Sequence, residues 1–157
     1  MLLSFFEWCD ATALGAGVRN SMWLFPAIEA IHLLGLCVLG GSLLVVDLRL
    51  LGAGLKRQTI SELADQADRW LAGAIVVMAV TGILLFLSEA VKCYYNQSFW
   101  VKMTTLPIAL LFTFTVRSRI THTSGIDTSV RTRLVGATSI ALWFTVAAAG
   151  RWIGYSS

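Results

Sequence analysis

The stretch Trp23-Leu-Phe-Pro-Ala-Ile-Glu-Ala-Ile-His-Leu-Leu-Gly-Leu-Cys-Val-Leu-Gly-Gly41 continues almost without charge to Asp47. A helix rises ~1.5 Å per residue, so this run is long enough to cross a hydrocarbon layer ~30 Å thick. Three more apolar runs follow, at about 71–91, 99–116 and 134–153. The 157 residues are 57% hydrophobic and 13% charged, with a mean hydropathy of +0.74. Buried helices of a soluble protein this size would carry more polar positions. The expected fold is an all-α membrane protein, a single four-transmembrane-helix bundle over 1–157 with spans at about 23–48, 71–91, 99–116 and 134–153. It leaves no room for a separate soluble domain.

The first ten residues are apolar but lack a basic leader and a small-residue cleavage site, so no cleavable signal peptide is expected. They read as a short interfacial helix anchored by Trp8. The net charge of +3 comes from basic residues at span ends and is not a nucleic-acid signal. Arg49, Lys56, Arg57 and Arg69 fall in the first loop, and Arg117, Arg119, Arg131 and Arg133 in or near the third. The positive-inside rule places these loops in the cytoplasm and both termini outside. This fits a multi-pass protein of a bacterial inner membrane. Tyr94, Tyr95, Phe99 and Trp100 are expected to form an aromatic belt, with Trp23 and Trp152 at the same boundary. The short loop near Cys93 predicts a tight antiparallel pairing of spans two and three. Thr59 or Ser61 is expected to cap a short helix leading to Arg69-Trp70, and the third loop, 121–129, has turn composition.

Of the three cysteines, Cys37 is expected to pack within the first span. Cys9 and Cys93 would both lie on the outer side, where a disulfide can persist; unpaired thiols are the alternative. Gly40-Gly41 reads as helix packing or as clearance for a flat ligand.

Ionisable groups at membrane depth point by default to function. With Trp23 at the boundary, Glu29 lies roughly 9 Å down and His32 roughly 14 Å down. Glu89, Lys102 and Arg151 belong to the same outer half of the other three spans. Asp47, Arg49, Arg69, Arg117 and Arg133 gather at the inner boundary. By helical phase Glu29, His32, Gly40 and Asp47 share an arc of about 140°. Lys102, Thr105, Ala109 and Thr113 share a stripe, as do Met78, Gly82 and Glu89.

His32 can be a neutral imidazole bonded to a neighbouring helix, or a ligand. A haem suits a bundle with one buried His, which serves as an axial ligand. Met78 or Lys102 is a candidate sixth ligand; His122 is too far away, beyond the inner end of span three. Glu29, Lys102 and Arg151 would tune the group or bind its propionates, since Lys and Arg pair with carboxylates. Glu89 and Asp47 are further polar-site candidates. No phosphate loop, nucleotide fingerprint, CxxC or hydrolase elbow is present.

The pieces Trp23…Pro26…His32…Gly35…Gly40, then Asp47-Leu-Arg-Leu-Leu-Gly52, Phe99-Trp-Val-Lys102 and Gly150-Arg-Trp-Ile-Gly-Tyr155, carry a family resemblance. The chain resembles the DUF6644 type of small four-helix bacterial membrane proteins over nearly its whole length. More distantly it is similar to the HemJ-type protoporphyrinogen oxidases, four-helix proteins that bind b-type haem, and to the CopD-type copper-transport domain. Both place a His in an early span and a Trp-x-x-Lys-like entry to a later one; here Trp100 stands two residues before Lys102.

The expected function is therefore an integral membrane protein with an outer-half polar site that binds b-type haem, with His32 as metal ligand, in a redox role. The alternatives are a non-catalytic accessory subunit of a larger membrane complex and a copper or small-solute transport element. The expected partners are the lipid bilayer and either further copies of the chain or a membrane complex.

Overall fold

Each apolar run forms a helix, and the ends fall where the sequence caps them. The computed structural model describes residues 1–53, 57–123 and 129–155. Helix α3, Leu24–Leu51, ends at Gly52, whose φ of 77° turns the chain through the left-handed region. Glycine adopts that conformation without a Cβ penalty. Helix α4, Ile60–Ser88, opens on a capping box: the Thr59 hydroxyl accepts from the Glu62 N–H, and the Glu62 carboxylate accepts from the Thr59 N–H. The short helix expected before Arg69 is thus the first part of the second spanning helix. Helix α5, Ala90–Tyr95, crosses to α6, Gln97–Phe112, which Asn96 caps at Ser98 N–H. A π-helical turn, Thr113–Arg117, joins α6 to α7, Ser118–Thr123. Helix α8, Val130–Ile153, starts at a Ser129 cap.

Four continuous helical segments, 24–51, 60–88, 97–123 and 130–153, are long and apolar enough to span a membrane. The chain is a multi-pass membrane protein, all-helical among the described residues. The end of the bundle where α3 begins is called the upper end. There the expected short N-terminal helix is α1, Leu2–Asp10, and a second helix, α2, Ala13–Asn20, follows it from a Thr12 cap. Lys56 and residues 124–128 of the expected loops lie outside the described residues.

Helix α3 packs against α4 and α8, and α8 packs against α6. The expected tight pairing of spans two and three is corrected: α4 and α6 scarcely touch. Helices α1 and α5 crowd their upper ends, and α7 meets α4 only at the lower end. Bulky rings fill the upper part of the seam: Phe6, Phe86 and Phe99 lie within one hydrophobic cluster. Cys37 is also corrected, because its side chain faces outward from the bundle rather than into it. Cys9 and Cys93 are buried in that same upper cluster as free thiols.

Candidate functional site

Helical phase and depth bring the expected upper-half residues together. Glu29 and His32 of α3, Met78 of α4, Glu89 at its end, Lys102 of α6 and Arg151 of α8 all line one cavity of about 210 Å³. Its walls are otherwise mostly apolar and include Phe25, Leu36, Leu85, Phe86, Phe99 and Val146. Three glycines let the polar groups approach. A Cβ on Gly82 would sit 3.4 Å from His32 Cε1, one on Gly35 would sit 3.3 Å from Met78 Sδ, and one on Gly150 would sit 3.4 Å from Lys102 Nζ. Gly40 and Gly41 do not line this cavity, and nothing among the described residues lies within 4 Å of a Cβ built on either.

The hydrogen bonds of His32 define its tautomer. His32 Nδ1 lies 2.7 Å from Thr81 Oγ1. The Thr81 hydroxyl in turn donates to the Val77 carbonyl at 2.6 Å. A hydroxyl has one hydrogen, so Thr81 can only accept from His32, and the imidazole proton sits on Nδ1. Nε2 is then the free acceptor on a ring that lines the cavity. The sequence reading missed Thr81; the only available signal was a hydroxyl in the middle of an otherwise apolar helix.

The charged groups are unevenly partnered. Among the described residues, Lys102 and Glu29 have no hydrogen-bond or ion-pair partner. Glu89 approaches Lys92 at 3.7 Å. The Arg151 guanidinium donates to Tyr155 Oη at 2.9 Å and lies 5.0 Å over the same ring. Of the two expected propionate partners, Arg151 thus has a neutral partner and Lys102 has none, and among the described residues neither is paired with a carboxylate.

Asp47 does not join this site. It lies in a separate network nearer the lower end, where it is 1% exposed. Arg117 Nε donates to its Oδ1 at 2.8 Å, and Ser139 Oγ donates to its Oδ2 at 2.6 Å. The network ties α3, the π-helical turn and α8 together. Arg117 Nη2 is buried without a partner among the described residues. Beside it, Trp143 Nε1 donates to the buried Thr113 hydroxyl at 3.0 Å. His122 is at the lower end, 3.4 Å from both Asp65 and Asp68, and shares nothing with the His32 cavity.

Among the described residues, no group of three or more His, Cys, Asp or Glu side chains could hold a metal ion. His32 is the cavity's single imidazole. A bare ion would need several protein ligands. A tetrapyrrole brings its own nitrogens and needs only an axial donor.

Residues 5–156 match a family model described as a family of unknown function, DUF6644. No curated protein and no solved structure matches the chain.

Proposed function

We propose that this chain, which belongs to the DUF6644 family, binds b-type haem in the upper cavity and serves a redox role. The observation that carries this reading is the His32 imidazole, with Nδ1–H held by Thr81 and Nε2 free. A hydrogen bond to the second ring nitrogen is what orients an axial or metal-bound histidine and raises its basicity. The donor set fits a haem better than a bare ion, so the copper-transport alternative has less support. Met78 supplies a thioether at the same cavity, and Lys102 supplies an unpaired ammonium for a propionate. The volume of about 210 Å³ is below the ~300–1,000 Å³ of sites that enclose drug-sized ligands. The cavity would enclose the ligated part of a macrocycle and leave the rest between the helices. The haem, when bound, would supply one-electron chemistry. The protein would hold it, orient His32 and neutralise its carboxylates.

The basic residues at the lower end support the reading that this end faces the cytoplasm of a bacterial inner membrane, with both termini outside. A reporter active only in the cytoplasm should therefore be silent at either terminus. The accessory-subunit or oligomer alternative has its own support in Gly40-Gly41, a bare patch on α3 where another helix could approach closely.

The test is the absorption spectrum of the full chain purified in mild detergent. A Soret band that His32→Ala removes, with helicity retained, is the expected result. A colourless, folded wild type that leaves added haemin with its protein-free spectrum sinks the reading.

A further inference from the structure

The upper cavity is walled on one side by rings rather than by helix packing. Phe86 of α4 and Phe99 of α6 both line it, and their rings stack at 5.7 Å with an interplanar angle of 13°. This stack bridges the seam that the two helices leave open. Phe6 of α1 closes it from outside, edge-on to Phe86 at 5.4 Å and to Phe99 at 6.0 Å. Phe6 is 5% exposed, whereas Leu2, Phe5 and Trp8 on the same helix face outward. That division is the pattern of a helix lying at the membrane surface.

The two N-terminal helices are fastened differently. In α2, a Cβ on Gly15 would sit 2.3 Å from the Leu87 carbonyl oxygen, so backbone lies against backbone. Arg19 Nη1 also donates to the Ser88 carbonyl at 3.0 Å. Helix α1 is held to the bundle by the side-chain cluster of Phe6 and Cys9, and to α2 through the Asp10–Arg19 ion pair at 2.7 Å. The chain between them bends at Thr12, which is extended at φ −64° and ψ 144°. To lift about that bend, α1 would have to part from α5, against which it packs, while α2 keeps its seat on α4.

We infer that the seam between α4 and α6 is the entry site through which a planar, bilayer-partitioned ligand reaches the cavity, with α1 as its door and Phe6 as the latch. The inference rests on the ligand-binding reading above. A ligand arriving from the bilayer has to part only stacked rings there, because side chains alone fill the gap between α4 and α6. Entry elsewhere in the bundle must part packed helices, as between α3 and α4 or α6 and α8.

Two rates test it in the full chain in lipid nanodiscs. Cys9→Ala and Cys37→Ala leave Cys93, which lines the cavity under the latch, as the sole thiol. Maleimide labelling of Cys93 and haemin association are then compared between Phe6 and Phe6→Ala. If Phe6→Ala is not monodisperse, Phe6→Leu, which keeps apolar bulk without ring contacts, is read in its place. Loss of the edge-to-face contacts of Phe6 with Phe86, Phe99 and Tyr94 should make both rates at least about tenfold faster. The final Soret amplitude should stay the same. Unchanged rates overturn the door. Faster labelling with unchanged haemin association overturns the entry assignment. Haemin that binds to no form overturns the haem reading instead, and the labelling arm still decides whether α1 opens.

Discussion

His32 and Thr81 form a one-way hydrogen bond: Thr81 spends its only hydrogen on the Val77 carbonyl, so His32 Nδ1 must be the donor across the 2.7 Å contact. A residue of α4 thereby sets the protonation pattern of a residue of α3. Thr81→Val keeps the shape and removes the acceptor, leaving a half-buried N–H unpaired at a cost of ~1–3 kcal/mol. Thermal unfolding in detergent should show that loss, and Thr81→Ser should restore it. If haem is bound, Thr81→Val should also weaken it by roughly 10–100-fold, the usual scale for such supporting groups. Unchanged affinity and stability would show that the contact has no orienting role.

The Asp47–Arg117 pair predicts an asymmetry between breaking and replacing. Both side chains are at most 2% exposed. Asp47→Ala strands a buried guanidinium, whose Nη2 already lacks an acceptor among the described residues, and should cost ~3–5 kcal/mol. Ser139→Ala, which removes one neutral donor to the carboxylate, should cost less. Replacing both charges, as in Asp47→Leu with Arg117→Met, should recover much of the Asp47→Ala loss. A double-variant cycle by detergent unfolding measures this. Additive losses would mean that the two charges are not coupled.

Gly15 and Gly17 make a matched pair in α2. A Cβ on Gly15 meets the Leu87 carbonyl at 2.3 Å, whereas nothing lies within 4 Å of one on Gly17. Gly15→Ala should push α2 off α4 and destabilise by ~1–3 kcal/mol. Gly17→Ala should be neutral or stabilising by up to ~1 kcal/mol through helix propensity. Limited proteolysis near residues 11–12 should accelerate in the first variant only. Equal behaviour would refute the close backbone contact.

Burial, reinforced by the nearby Glu89 carboxylate, pushes the Cys93 thiol up to about 11. The thiolate is the reactive form, so alkylation of Cys93 should be slow at neutral pH and climb about tenfold per pH unit up to pH 10. An ordinary thiol, with a pKa near ~8.5, levels off above that value. Solubilising the protein in a denaturing detergent should return Cys93 to the ordinary profile. A plateau near pH 9 in the folded protein would show that the thiol is not buried as described.

The four spanning helices, the Thr59 cap and the shared depth of Glu29, His32, Met78, Glu89, Lys102 and Arg151 were legible in the residues alone. Hydropathy sets which runs cross the membrane, and a constant rise per residue turns sequence position into depth. Helical phase then selects the inward face, as with Ala109 and Thr113, both buried. These quantities are local to one helix.

Other features depend on how the helices pack against one another, which no single helix encodes. The same reading paired α4 with α6 and packed Cys37 within the bundle; neighbouring helices decided both of these otherwise. The tautomer of His32 needed Thr81, forty-nine positions away. Asp47 shares an arc with His32, yet it is held by Arg117 and Ser139 in a different network. Nor does the pattern of the first ten residues reveal that Phe6 fills the seam between α4 and α6. Sequence by itself determined which groups lie at the same depth of a four-helix membrane bundle. Only the tertiary structure decided which of them meet, because rotation and spacing between helices are set by side chains from all of them at once.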